Sequence, residues 1–299
     1  MLFARRKEGY FSKLALLTGA IIVLLLSSCK QENPEPGDCQ AQERGDSPLY
    51  SHYIYMTTSD DGIHFDPQSA LILEHASVAD LTIGKDGSVW AYFVNGQPGK
   101  HGIFAARQTK TGAWEMVDCI KINDRFNGNA VDPDVTRLPD GRYRLVYFEG
   151  NFVSQNLQPG DPNPIYSAIS DDGIHFSVEN LLIAEQGVTD PSLIQLPDGS
   201  WLLAMVRGTE TLLAASEDGA SFSLTGVTVK EVGIPELGLL PDGRVVLYLS
   251  KIFVSTDKGQ TWQPVKDAVV PGNGADPSLL AMPAGGYAFS FKRIFLETH

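Results

Sequence analysis

Two kinds of short alternating segment recur along this chain. The first is an apolar run, a Pro-Asp-Gly type turn and a second run alternating aromatic and aliphatic residues. It appears as ADLTIGKDGSVWAYFV at 79, DPDVTRLPDGRYRLVYF at 132, DPSLIQLPDGSWLLAMV at 190, PELGLLPDGRVVLYL at 235 and DPSLLAMPAGGYAFSF at 276. Apolar runs on both sides of such a turn predict a β-hairpin. The second is a polar box, TSDDGIHF at 58, ISDDGIHF at 169, ASEDGASF at 215 and STDKGQTW at 255, with a degenerate copy, TKTGAW, at 109. Each box predicts another tight turn between strands.

The two kinds alternate, and two hairpins make a four-stranded sheet of about 50 residues, the content of one propeller blade. No helical period intrudes after the first 29 residues. The chain opens on a box hairpin at about 53–66 and closes on a Pro-Asp-Gly type hairpin at about 278–291. Pairing those two completes a fifth blade and removes the exposed edges of an open array. The expected fold is therefore all-β, a five-bladed β-propeller closed between its N-terminal and C-terminal hairpins.

Residues 1–29 stand outside that pattern. A basic start (Arg5, Arg6, Lys7, Lys13) runs into LALLTGAIIVLLL and then SSC, which reads as an export signal. The element LSSC, ending at Cys29, resembles the lipobox of bacterial lipoproteins, which implies lipidation of Cys29 and an exported protein anchored to the bacterial membrane, at the outer membrane or cell surface. Residues 30–48 carry almost no large apolar side chain and read as a flexible tether. The propeller is expected over 49–299.

Charge narrows the partners. The whole chain carries a formal −13, and without the leader 19 basic residues face 35 acidic ones, a formal −16. Nucleic acid and anionic lipid surfaces are poor partners for such a body, so contact with the membrane is expected through the lipid alone. The protein is read as a monomer. With Cys29 set aside, Cys39 and Cys119 either form one disulfide or remain free. Neither has metal-ligand spacing, and no metal site or cofactor is assigned.

In a propeller the innermost strand of each blade begins at the mouth of the central channel. The residues opening the five first strands are Asp80, Asp132 with Asp134, Asp190, Glu236 and Asp276. At least one carboxylate per blade is thus expected at one mouth, although an Asp before Pro also serves as a turn cap. Carboxylates around a polar well suit glycoside hydrolysis, which needs one group protonated and another ionised. The loop 148–164 is expected to overhang this mouth, its Asn and Gln suited to sugar hydroxyls and Phe152 to a sugar face. The pairs Trp90 with Tyr92 and Tyr143 with Phe148 are expected to pack blade against blade.

The boxes resemble the Asp-box of sialidases and other propellers, a motif of outer hairpins away from the active face, so Asp257, Gly259, Trp262, His64 and His175 are read as structural. The elements VDPDV, TDPSL and IPELG resemble the strand openings of five-bladed glycoside hydrolases of families 43 and 32. That resemblance implies Asp132 as base or nucleophile, Asp190 as modulator and Glu236 as general acid, with Asp134 and Asp276 as alternatives to Asp132. This chain departs from the pattern in having only ADL on blade one and PEL where EGP usually marks the acid. Asp80, Asp134, Arg207 and Asp276 complete the set as substrate-binding residues.

The expected function is a surface-tethered glycoside hydrolase acting on an oligo- or polysaccharide at the central mouth. The alternative is a non-catalytic carbohydrate-binding or scaffolding propeller, whose acids cap strands or hold a structural Ca²⁺. An exo-sialidase fits less well: it needs clustered arginines, and only Arg207 and Arg293 are expected near the mouth.

Overall fold

The computed structural model describes residues 39–41, 47–150 and 162–295. The chain enters through β1 (His52–Ser59) and β2 (Ala70–Glu74). Blade one follows as β3 (Ala76–Ile83), β4 (Val89–Asn95), β5 (Ile103–Gln108) and β6 (Trp114–Cys119). A short hairpin, β7 (Lys121–Ile122) and β8 (Arg125–Phe126), leads to blade two: β9 (Ala130–Arg137), β10 (Tyr143–Glu149), β11 (Pro162–Ser170) and β12 (His175–Gln186). Blade three is β13 (Thr189–Gln195), β14 (Trp201–Arg207), β15 (Glu210–Ser216) and β16 (Ser223–Val229). Blade four is β17 (Glu236–Leu239), β18 (Val245–Tyr248), β19 (Ile252–Ser255) and β20 (Gln263–Pro264), and the chain closes with β21 (Ser278–Ala281) and β22 (Tyr287–Ile294).

Five sheets result, each with an antiparallel four-stranded blade, and the fifth has the order β2-β1-β22-β21. β1 pairs with β22 from His52 opposite Ile294 to Ser59 opposite Tyr287. The two chain ends therefore share one blade, and the ring is a closed five-bladed propeller as expected. An addition the sequence did not announce is the β7–β8 hairpin, which extends blade two by pairing β7 parallel to β12.

The two turn types divide between hairpins as the sequence predicts. The Pro-Asp-Gly turns join first strand to second with one geometry, in which Gly141 N donates to Leu138 O and Gly199 N to Leu196 O, both at 2.9 Å. The boxes join third strand to fourth. In each, a Ser hydroxyl accepts the N–H of the box glycine (Ser59 from Gly62 and Ser170 from Gly173 at 2.9 Å, Ser255 from Gly259 at 2.8 Å). The Asp carboxylate accepts N–H bonds farther on, Asp61 from Ile63 and His64, and Asp257 from Thr261, all at 2.8 Å. His64 and His175 fold back onto Asp61 and Asp172 at the exposed turn. In the degenerate box Thr111 stands where the Asp would be and bonds to Thr109 at 2.9 Å.

The core lies between blades. Trp90 and Tyr92 of blade one are buried against Tyr143 of blade two together with Phe176, and Trp262 packs on the cluster that joins blades three and four. Phe148 belongs to the cluster shared by blades two and three. These aromatics are packing, as their position in strands predicts.

The expected tether is fastened in part. Cys39 and Cys119 form a disulfide, and Ala41 N donates to Gly99 O at 2.7 Å, which ties residues 39–41 to the propeller. Cys29, Phe152 and most of the 148–164 loop lie outside the described residues.

Candidate functional site

The six strand-opening carboxylates line one axial cavity, together with Pro133, Pro191, Pro235 and Pro277. They do not form one ring. The strand openings SVADL, VDPDV, TDPSL, GIPEL and ADPSL superpose on their Ala or Pro, and the acids then fall in two registers, two residues apart. Residues two apart on a strand share a face but sit at different depths, so the cavity has an upper and a lower tier.

The lower tier is Asp80, Asp134, Ser192, Glu236 and Ser278. Each side chain accepts the next blade's backbone N–H. Val135 N donates to Asp80 at 2.6 Å, Leu193 N to Asp134 at 2.8 Å, Leu237 N to Ser192 at 2.9 Å, Leu279 N to Glu236 at 2.8 Å and Leu81 N to Ser278 at 2.9 Å. The donors Leu81, Val135, Leu193, Leu237 and Leu279 line a second cavity on the far side of this ring, together with Thr82, Thr136 and Arg137. Ser278 also donates to Asp80 at 2.8 Å, and Ser192 to Glu236 at 2.9 Å. Five bonds from five blades thus close a circular staple on the axis, satisfying N–H groups that would otherwise be buried without partners.

That tier engages Glu236, Asp80 and Asp134. Both oxygens of Glu236 and of Asp80 are taken by protein donors, and Asp134 holds the join of blades two and three. Burial, opposed by those hydrogen bonds, raises Asp80 to about 7. Burial, then the neighbouring charges, pushes Asp134 and Glu236 well above the usual carboxylate range.

The upper tier is Val78, Asp132, Asp190, Ile234 and Asp276. Four of these have left-handed backbone, with φ of 49° at Val78, 49° at Asp132, 50° at Asp190 and 47° at Asp276. The pairing of β3, β9 and β13 with their neighbours slips at this point. Pro133 and Pro191 have no N–H to give to the ladder, and a bulge there turns the preceding residue toward the axis. Strain in such residues is retained where the surrounding structure enforces it.

Two linked groups fill this tier. A side-chain hydrogen bond joins Asp132 and Asp190. Burial foremost, then the charges of Asp190 and Asp276, raises Asp132 well above the carboxylate range. Burial also raises Asp190, to about 6, against the pull of the Thr189 hydroxyl, which donates to it at 2.6 Å. Beside them Asp276 is paired with Lys292 at 2.7 Å and accepts from Val78 N at 3.1 Å and Ser77 Oγ at 3.3 Å. Ser77 in turn meets His52 Nδ1 at 2.9 Å. Burial, then the Lys292 charge, lowers the pKa of His52.

Lys292, His52 and Ser77 were not foreseen. The FKRIF segment held the signal for Lys292, because alternate residues of a strand face opposite ways. Lys292 turns inward while Arg293 is exposed and stacks over Tyr55. Arg207, expected at the mouth, pairs with Glu210 at its own hairpin at 2.9 Å and is not part of the cavity wall. No arginine lines the cavity among the described residues.

No protein-family model and no curated protein sequence matches the chain. Solved structures share its fold. A family 117 glycoside hydrolase, Zg3597, from Zobellia galactanivorans aligns with a TM-score of 0.52 at 12% identity over 85% of this chain and 87% of that one. An N-acetylgalactosamine deacetylase from F. plautii, in complex with blood group B trisaccharide, aligns at 0.52 and 13% over 77% and 82%. The GH43 protein BlXynB from Bacillus licheniformis aligns at 0.52 and 12% over 80% of this chain and 48% of its own length.

Proposed function

We propose that the protein is a glycoside hydrolase working at the upper tier of the axial cavity. The observation that carries this reading is the Asp132–Asp190 carboxyl pair beside the Asp276–Lys292 ion pair in one cavity, burial favouring a protonated carboxyl in the first pair while an ammonium faces Asp276 in the second. Splitting neighbouring carboxylates into a proton donor and an anion is what acetal cleavage requires. Fold neighbours that include glycoside hydrolases and a trisaccharide-bound deacetylase support a sugar ligand.

The roles follow from the contacts. Asp132 and Asp190 share a side-chain hydrogen bond, whereas acid and base on either side of a sugar ring stand about 5 Å apart or more. They therefore act as one proton-donating unit, Asp132 giving the proton to the leaving oxygen and Asp190 tuning it. Asp276, fixed by Lys292 and the Val78 N–H, is the ionised partner that activates water or attacks the sugar. The donor role expected of Glu236 passes to Asp132, because Glu236 is committed to the blade-joining ring. Export and lipid anchoring through Cys29 would place this activity at the bacterial surface.

A binding-only propeller is the second reading, and the observation favouring it is that half of the six acids serve as staples. The deciding experiment compares the protein with its Asp132→Asn and Asp276→Asn variants on a broad panel of plant, host and algal glycans. Sugar release that disappears in both variants while glycan binding persists supports the hydrolase. No release from any glycan by the parent protein, with binding intact, leaves the lectin-like reading.

A further inference from the structure

Strands β1 and β22 send residues to both faces of blade five. On the face opposite Lys292, Tyr53 pairs with Arg293 and Tyr55 with Phe291 and Leu71. The side chains there form a continuous ladder. Tyr50 stacks on His75 with ring centroids 3.7 Å apart, His75 meets Tyr53 at 5.5 Å, Tyr53 meets Phe295 edge-on at 5.2 Å, and Phe295 meets Tyr55 at 6.4 Å. The Arg293 guanidinium lies 4.4 Å over the Tyr55 ring. Tyr50 is 44% exposed and Phe295 48%, and Leu71 beside Tyr55 is 43% exposed.

A contiguous patch of exposed and half-buried aromatics of this kind marks a contact surface. Arg293 says what kind. It makes no ion pair among the described residues, its one hydrogen bond being to Ser69 Oγ at 3.4 Å, while stacking holds its plane in place. A guanidinium already ordered on an aromatic face presents its remaining N–H groups as a fork for a planar or tetrahedral oxyanion at little entropic cost. The C–H face of a pyranose ring is apolar and packs on exposed aromatic rings, whose polar atoms stay wet. Tyr53 and Arg293 are the chain neighbours of His52 and Lys292, so the ladder occupies the other face of the two strands that bring those residues to the site.

We propose that this ladder is a second glycan-binding site that holds a sugar bearing a carboxylate or sulfate on Arg293, with flanking rings on Tyr53 and Phe295. The inference rests on the glycan-active reading above, and its readout is binding rather than turnover. The site selects acidic glycans by local charge, although the body as a whole is anionic.

The test is isothermal titration of the full chain carrying Asp132→Asn, which stops turnover, with tetragalacturonate, a sulfated galactan tetrasaccharide and neutral xylotetraose. Tetragalacturonate binding marks a uronate ligand, and sulfated galactan binding a sulfate ligand. Adding Arg293→Gln is expected to weaken the anionic probe by about tenfold and to leave xylotetraose unchanged. Phe295→Ala is expected to weaken both classes, with an unaltered unfolding midpoint because the residue is exposed. Failure of the parent to bind either anionic probe at millimolar concentration would overturn the proposal, as would equal binding by Arg293→Gln. Self-association that vanishes in Phe295→Ala, without glycan binding, would assign the ladder to a second copy of the chain. A chain that releases no sugar yet binds the acidic probe through Arg293 would sink the hydrolase and leave this site standing.

Discussion

Asp134 of blade two accepts the backbone N–H of Leu193 of blade three at 2.8 Å, one of five such bonds that close a ring on the propeller axis. Two residues earlier on the same strand, Asp132 accepts no backbone N–H among the described residues and meets Asp190 instead. One strand thus carries a carboxylate inside the blade-joining ring and another outside it, the one proposed as proton donor. Asp134→Ala should lower unfolding stability by about 1–3 kcal/mol, because a buried N–H loses its acceptor. Asp132→Asn, which keeps the shape of the side chain and removes no acceptor from a backbone N–H, should leave the urea midpoint in place and abolish sugar release. Equal losses of stability in both variants would refute the two-tier division.

Stability should fall as pH rises from about 5 to 7.5. Burial raises the folded-state values of Asp190 to about 6 and Asp80 to about 7, and it also lifts Asp132, Asp134 and Glu236 well above the usual carboxylate range. Unfolded carboxylates titrate near 4, so the folded state holds more protons in this window. Their contribution is complete below about 4 and is lost as pH climbs through the folded values. Urea unfolding at pH 5, 6 and 7.5 measures the slope, and Asp80→Asn should flatten it. A stability that climbs toward pH 7.5 would contradict the account.

Lys292→Met should hurt both folding and function. Asp276 is 4% exposed, and removing its ammonium partner leaves a buried charge with two weaker donors. Breaking such a pair costs about 3 kcal/mol. Thermal unfolding and sugar release should fall together, whereas Arg293→Gln on the opposite face should leave both the midpoint and the hydrolysis of short uncharged substrates unchanged.

Reduction should loosen the propeller from its N-terminal side. The Cys39–Cys119 bond spans 80 residues of sequence, and closing a loop of that size stabilises by about 2–4 kcal/mol. A melting temperature that drops in reducing agent, and equally in Cys119→Ala, is the expected result. Protein beginning at Leu49, which lacks Cys39, should melt at the reduced value even under oxidising conditions.

Gly173 and Gly187 should differ although both have left-handed backbone, with φ of 81° and 65°. A Cβ on Gly173 would lie 2.6 Å from Tyr92 Oη, while one on Gly187 meets nothing within 4 Å. Gly187→Ala should cost about 1 kcal/mol from backbone strain alone. Gly173→Ala should cost clearly more by chemical denaturation, since it also displaces the Tyr92 hydroxyl that donates to Gly173 O at 2.9 Å.

The propeller was legible because its signals are local and repeated. Alternating apolar runs, Pro-Asp-Gly turns and Ser-Asp-Gly boxes each encode a hairpin within about 15 residues, and the order of hairpins implied the closure of β1 on β22. The box aspartates and the Trp90, Tyr92 and Tyr143 packing followed from the same repeats. The division of the carboxylates did not. A repeat says that every blade opens with an acid, but whether that acid stands at the bulge or two residues beyond is a matter of depth along an axis that five separate strands create together. Lys292, His52 and Ser77 reach Asp276 from the two ends of the chain and from the opening strand of blade one, so their meeting exists only once the ring is closed. The sequence by itself determined the blades, their turns and which residues open them. Tertiary structure alone decided which carboxylates staple the blades and which stay off the staple, because only the assembled ring supplies the neighbouring N–H groups that occupy the first set and brings Asp132 to Asp190 and Lys292 to Asp276 in the second.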